Sequence, residues 1–274
     1  MQPPDRVLSA FGTVGPARPL PGGRGSSWRT ADRVLKPIDL LPDELEWLHR
    51  IPTVMAARDA ARGAPADDLR LSVPIASASG ALVVDGWTAF PLLAGEHRAS
   101  RWTEIARVGR QFSSRFAGVG RPAFMEARNH AWARADRLAW GDADSYDLTE
   151  APFLTELLAA RRQVTDRSGI IHGDLTGNVL FHDVERPAVI DLTVYWGPVR
   201  YAIAIVAVDA VCFEGAPLSL LETIEQTDGF PQHLVRALIF RIATDWFNGL
   251  HPGAGGTYDD AVARVLELVS QSRA

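Results

Sequence analysis

The feature that most constrains this chain is the run Ile171-His172-Gly173-Asp174-Leu175-Thr176-Gly177-Asn178-Val179-Leu180-Phe181, followed by Ala188-Val189-Ile190-Asp191. An apolar segment enters a polar turn, and a short apolar segment leaves it. A second apolar segment then ends in an acid. Two short β arms, Val179 to His182 and Ala188 to Asp191, joined by a turn over Asp183 to Pro187, satisfy this pattern. The hairpin sets an amide, Asn178, and a carboxylate, Asp191, on opposite arms, with Asp174 on the loop just before them.

These residue types suit phosphoryl transfer to a hydroxyl. Asp174 offers a carboxylate to orient or accept the proton of an attacking hydroxyl, and Gly173 beside it lets the backbone approach a substrate closely. Asn178 and Asp191 offer hard oxygen ligands for Mg²⁺. Taken singly, they read equally well as a capping Asp, a turn Asn and a strand-end Asp; the ordered set favours the chemistry. His172 reads as a structural brace of the loop and His182 as a surface residue. The acids Asp142, Asp144, Asp147 and Glu150 read as a solvated loop rather than as a face for a cationic substrate.

Lys36, in Arg33-Val34-Leu35-Lys36, is the only lysine among 28 Lys+Arg residues. A residue type kept in one strand and absent elsewhere points to a task that a planar guanidinium cannot perform. A compact ammonium bridges an acid and a phosphate oxygen where the guanidinium fork does not fit. Its expected acidic partner is Glu44 or Glu46 on the following helix, with Glu46 preferred. The turn Gly22-Gly23-Arg24-Gly25-Ser26-Ser27 precedes that strand, and its backbone N–H groups suit phosphates. The chain has no G-x-x-x-x-G-K-[ST] loop, no G-x-S-x-G elbow and no H-E-x-x-H pair, which sets aside P-loop NTPases, serine hydrolases and zincins.

A chain of 274 residues, 47% hydrophobic and 22% charged, can bury a large core in one domain or two lobes. A formal net charge of −5 argues against a general nucleic-acid coat or a binder of anionic membranes. Cys212 is the only cysteine, so no intrachain disulfide and no cysteine metal site can form, and a reducing cytoplasm fits best. The N-terminal residues do not read as a signal peptide. The most apolar stretch, Tyr201 to Phe213, contains Asp209 and reads as a buried helix, not a membrane span.

Periodicity predicts an α+β chain. A short helix is expected over 4–12, strands at Ser26 to Arg29 and Arg33 to Lys36, and an amphipathic helix over Asp43 to Ile51. Leu71 to Ile75 reads as a strand, and Ala81 to Val84 and Trp87 to Phe90 read as a hairpin about Asp85-Gly86. Helices are expected over 98–117, 123–140, 152–166, 200–213, 216–226, 231–247 and 258–271. The hairpin of the chemical motif is expected to be the one strand pair of that half. The division falls at residues 1–91, a β-rich nucleotide-binding lobe, and 92–274, a helical lobe with the catalytic loop and the substrate site.

His172-Gly173-Asp174 through Asn178, then Ile190-Asp191, resembles the aminoglycoside phosphotransferase and choline kinase-like family, relatives of the protein kinases. The Gly-rich turn, Val34-Leu35-Lys36, the 81–90 hairpin and the segment after it follow the family's order. Within the family the chain looks most like an actinobacterial group with a Gly-Asp-Leu-Thr-Gly-Asn loop. The resemblance implies a protein-kinase-like fold with a β-rich N-lobe and a helical C-lobe, and ATP (or GTP) and Mg²⁺ as cofactors. It implies Asp174 as catalytic base and Asn178 and Asp191 as metal ligands. Lys36 would meet the α/β-phosphates, braced by Glu46, with Gly23, Gly25 and Ser26 over the phosphates. Phe90 to Leu92 would grip the base through the backbone.

Two departures from the family pattern stand out. Leu175-Thr176-Gly177 is one residue shorter than the family's spacing between the loop Asp and the Asn. The family's later Asp, which braces the catalytic loop, is absent from Gly197-Pro198-Val199-Arg200-Tyr201-Ala202-Ile203-Ala204. The leading reading is a small-molecule kinase acting on a hydroxyl acceptor. A nucleotide- or partner-binding module without turnover, and nucleotidyl transfer, remain alternatives.

Overall fold

The computed structural model describes residues 1–21, 25–62, 69–141, 151, 153–250 and 256–271. In chain order the elements begin α1 (Asp5–Ala10), β1 (Arg18–Pro19), β2 (Trp28–Arg29), β3 (Arg33–Pro37), α2 (Pro42–Arg62), β4 (Arg70–Leu71) and β5 (Trp87–Pro91). Next come α3 (Trp102–Arg115), α4 (Phe124–Ala127), α5 (Ala131–Trp140), α6 (Leu154–Ala160), β6 (Gly169–His172), β7 (Val179–Leu180), β8 (Ala188–Val189) and β9 (Val194–Gly197). The chain closes with α7 (Val199–Phe213), α8 (Leu220–Thr223), α9 (Phe230–Phe247) and α10 (Asp259–Gln271). Among the described residues no helix is long and apolar enough to cross a membrane.

The chain forms two compact units, one of Met1–His97 with Asn178–Leu192, the other of Arg98–Gly177 with Thr193–Ala274. The motif hairpin therefore belongs to the first unit, while Asp174 belongs to the second.

In the first unit an antiparallel sheet runs β1-β2-β3-β5, with Lys36 opposite Thr88 and Val34 opposite Phe90. Its apolar face closes on Val7, Phe11, Leu35, Trp87 and Ala89. A second sheet, β4-β8-β7, contains the motif hairpin, and β4 runs parallel to β8. Helix α2 continues past Ile51 through Pro52 to Arg62, although an interior proline removes one helix hydrogen bond. Leu45, Leu48, Ile51 and Met55 are buried at helical spacing and hold both halves of it in place.

The expected strand over 81–84 is absent. Asp85 and Gly86 do form the tight turn, with φ of 49° and 77°, but Val84 makes only a single bridge to Trp87. Ile75 takes the free edge of β5 instead, donating its N–H to Ala89 O, and a tight turn at Ser77 engages the backbone of Ala81.

The second unit packs its helices around α7 and α9. Residues Tyr201 to Ala210 of α7 are buried without exception, so this stretch of the helix has no solvent face. The predicted helix over 123–140 divides into α4 and α5, because Arg128 is extended and the His130 side chain caps α5 by accepting from Ala133 N. The helix predicted over 152–166 stops at Ala160. There the side chain of Gln232 accepts from Arg162 N and donates to Ala160 O. The ribbon β6–β9, with Ile171 opposite Tyr195, is a strand pair that the sequence reading missed. Its signal was present in Val194-Tyr195-Trp196, a β-branched and aromatic run.

Candidate active site

Asp174 sits immediately beyond β6. The turn requires glycine at 173, since a Cβ there would lie 2.4 Å from Tyr195 Cδ2. Gly173 N donates to Thr193 O at 2.9 Å, which ties the loop to the start of β9. His172 is buried; its Nδ1 accepts from Asp174 N at 3.1 Å, and its Nε2 lies 3.3 Å from Thr193 N. The imidazole also meets the Phe112 ring edge-on at 5.6 Å. His172 thus fixes the backbone of Asp174, as a structural brace would.

A second brace was not legible. Arg241 Nη2 donates to Asp174 Oδ1 at 2.8 Å, and Arg241 Nε donates to Asp209 Oδ1 at 2.6 Å. The side chains of Arg241 and Asp209 are only 10% and 5% exposed. Burial pushes Asp209 up to about 6, against the pull of Arg241. Burial also opposes the charge on Arg241, yet Asp209 and Asp174 hold that guanidinium well above its usual range. The signal for this triad was a charged residue in the middle of each of the two most apolar helices. A charge is tolerated there only when it is paired.

In the first unit Lys36 Nζ lies 2.8 Å from Asp191 Oδ1 and 5.7 Å from the centre of the Phe90 ring. The acid expected for Lys36 on α2 is not the one it meets. Glu46 pairs with Arg50 on its own helix and faces solvent, while Glu44 is the buried acid of that turn. The reason is local: the i,i+4 spacing of Glu46 and Arg50 closes an exposed helical pair. Asp191, two residues past the end of β8, has a left-handed backbone, φ 49°. Asn178 O accepts from Ile190 N at 3.0 Å, so Asn178 and Asp191 stand at adjacent rungs of the hairpin.

Gly25 has a positive φ of 69° and lies with Ser26 in the connection between β1 and β2; Gly23 lies outside the described residues. The acids Asp142, Asp144, Asp147 and Glu150 also lie outside them. Phe90 is paired within the sheet, and Leu92 N donates to Asp32 O at 3.1 Å. The Leu92 N–H is thus already engaged within its own unit.

A family model described as the phosphotransferase enzyme family matches residues 17–238. The chain belongs to that family. Among solved structures, this phosphotransferase is similar to an aminoglycoside phosphotransferase from Alicyclobacillus acidocaldarius, with 12% identity and a TM-score of 0.58. That match covers 100% of this chain and 96% of the other. It is also similar to a thermostable variant of the aminoglycoside phosphotransferase APH(4)-Ia in complex with ADP and hygromycin B, with 11% identity and a TM-score of 0.52, covering 98% and 97%. A third is the choline kinase LicA from Streptococcus pneumoniae, with 11% identity and a TM-score of 0.51, covering 97% of each chain. No curated protein matches it. The shared fold is the α+β kinase-like one that the motif order implied, and the enzyme is a phosphotransferase of the small-molecule kinase type.

The donor set of this phosphotransferase suits Mg²⁺. Among the described residues no group of three or more His, Cys, Asp or Glu side chains gathers as a metal cage. Mg²⁺ in phosphoryl-transfer sites needs only one or two protein oxygens, with substrate phosphates and water completing the shell. Asn178 and the half-exposed Asp191 offer that number.

Proposed function

We propose that this phosphotransferase is a cytoplasmic, Mg²⁺-dependent kinase that moves the γ-phosphoryl group of ATP (or GTP) to a hydroxyl of a small molecule. The observation that carries the reading is the doubly braced Asp174, one short loop before a hairpin that holds Asn178 and Asp191, with the only lysine against Asp191. In this reading Asp174 orients the acceptor hydroxyl and accepts its proton as the O–P bond forms. Asn178 and Asp191 would hold the metal, which would supply charge neutralisation to the phosphate oxygens. Lys36 turns from Asp191 toward the nucleotide phosphates, and the loop with Gly25 and Ser26 covers them. The segment after β5 holds the base, through groups other than the engaged Leu92 N–H.

The short span Leu175-Thr176-Gly177 favours a second reading, a nucleotide-binding module without turnover. Calorimetric titration with Mg-ATP, followed by mass spectrometry of an acceptor screen, separates the two. A product heavier by one phosphate that vanishes in Asp174→Ala supports the kinase. Tight nucleotide binding with no product from any acceptor refutes it, and a product heavier by a nucleotidyl group refutes it in favour of nucleotidyl transfer.

A further inference from the structure

We infer that Arg29, with Arg18 beside it, makes this phosphotransferase selective for a guanine nucleotide by reading the acceptor edge of the base. The inference deepens the kinase reading above and rests on it for the presence of a nucleotide.

The register of the first unit's antiparallel sheet sorts its residues onto two faces. Trp28, Leu35 and Ala89 share the face that closes on Val7 and Phe11. Arg18, Arg29, Val34 and Phe90 stand directly opposite one another in a single row across the other face, from β1 to β5. Lys36 and Thr88 form the next row of that face, where Lys36 meets Asp191.

Arg18 and Arg29 are exposed, and among the described residues neither side chain makes a hydrogen bond or an ion pair. Other arginines of this unit do find acids: Arg6 pairs with Asp85, Arg33 with Asp32, Arg50 with Glu46 and Arg70 with Glu185. Like charges directly opposite on neighbouring strands repel. Two guanidinium groups held in that way, with no acid between them, are stabilised by a ligand edge that only accepts hydrogen bonds.

Their neighbours in the row define the rest of that ligand. Val34 and Phe90 are half-buried and apolar, a platform for a planar ring. Arg29 and Phe90 lie two strand spacings apart, roughly 9.5 Å, with Val34 between them. A base laid on Val34 therefore turns one edge to the Arg29 guanidinium. The backbone donor beside the platform is already engaged, since Leu92 N donates to Asp32 O at 3.1 Å. A side chain is left to read the base.

Guanine fits that reader. Its O6 and N7 are adjacent acceptors that match the fork of a guanidinium. Adenine sets its N6 donor beside N7 and opposes donor to donor. A site built to hydrogen-bond one group rejects the analogue that lacks it.

Titration calorimetry of the whole protein with Mg-GTP, Mg-ITP and Mg-ATP tests this. Inosine keeps O6 and N7 and lacks only the 2-amino group of guanine, so ITP isolates the edge assigned to Arg29. GTP and ITP should bind alike, and ATP at least about tenfold more weakly, or about 1.4 kcal/mol. Arg29→Gln and Arg29→Lys should both erase that preference by weakening GTP and ITP, with ATP within about twofold of its parent value, because lysine keeps the charge and loses the fork. Melting temperatures of both variants should stay near that of the parent. ATP binding as tight as GTP, ITP binding as weak as ATP, or a preference that survives the two variants overturns the inference. So does a loss shared equally by all three nucleotides, which would reduce Arg29 to a general attractor of the triphosphate. Each of these outcomes leaves the kinase reading to its own Asp174 test. Silence from all three nucleotides overturns the inference and the nucleotide-dependent reading together.

Discussion

Arg241 holds Asp174 from α9, one guanidinium nitrogen 2.8 Å from the carboxylate oxygen, and Asp209 on α7 holds Arg241 in turn. The acid expected after Asp191 as a brace is missing from Gly197 to Ala204. A buried ion triad instead supports the loop that carries Asp174, from two helices that carry no motif.

The triad predicts an asymmetry between single and double substitutions. Arg241→Met leaves Asp209 buried without its partner, and breaking a buried pair in this way costs about 3–5 kcal/mol. Arg241→Met combined with Asp209→Leu removes the whole pair and should regain most of that stability. Turnover should stay low in both, since Asp174 has lost its anchor. Thermal melts and kcat for the two proteins check this, and a double variant with restored turnover would contradict the positioning role.

Asp174→Asn keeps the shape of the side chain and removes its basicity. Turnover should fall by about 10²–10⁴-fold, the usual contribution of a positioned general base, while nucleotide affinity stays within about twofold of the parent. Steady-state kinetics beside Mg-ATP titration give both numbers.

Lys36→Arg preserves charge and changes shape. A planar fork cannot replace the compact ammonium at 2.8 Å from Asp191 Oδ1 and also serve a phosphate. The KM for nucleotide should rise at least about tenfold, about 1.4 kcal/mol. A nucleotide titration of this variant with unchanged affinity and rate would remove Lys36 from the site.

Asp136 makes stability pH-dependent. Burial pushes its carboxyl up to about 7, from 3.8 unperturbed. The folded state therefore binds the proton more tightly than the unfolded state. The stabilisation is fully present below pH 3.8 and is lost as pH rises through about 7. Asp136→Asn should flatten that loss. The melting temperature of the variant relative to the parent should climb from pH 4.5 to pH 8. Asp209, raised to about 6, titrates in the same window, so the difference between the two proteins is the quantity to follow.

Gly173→Ala would drive a methyl group into the Tyr195 ring. Overpacking of this kind costs about 1–3 kcal/mol. Melting temperature and kcat should both fall, and a companion Tyr195→Leu exchange should restore part of the stability.

Much of this molecule was legible in local patterns. The loop from His172 to Asn178 and the acid at Asp191 carry their residue types at fixed spacing, and the solitary Lys36 stands out by composition alone. The positive φ required at Gly86 was readable from Asp85-Gly86. Other features depended on partners distant in sequence. Ala81 to Val84 has strand-like composition, but Ile75 occupies the edge it would have used. The helix ending at Ala160 is stopped by Gln232, a residue 72 positions away. Glu46 satisfied the pattern expected of a partner for Lys36, yet a helical neighbour took it and Asp191 came to the lysine instead.

The amino-acid sequence by itself determined the family, the kinase-like α+β class and the residue types of the Asp174 loop and the hairpin after it, because each is written in contiguous residues whose backbone and donor chemistry are local. Tertiary structure alone decided that Arg241 and Asp209 support Asp174 and that Lys36 meets Asp191. These are pairings of charged and polar groups far apart along the chain. The fold, not spacing, brings them together, and for Arg241 and Asp209 burial makes an unpaired charge costly enough to fix its partner.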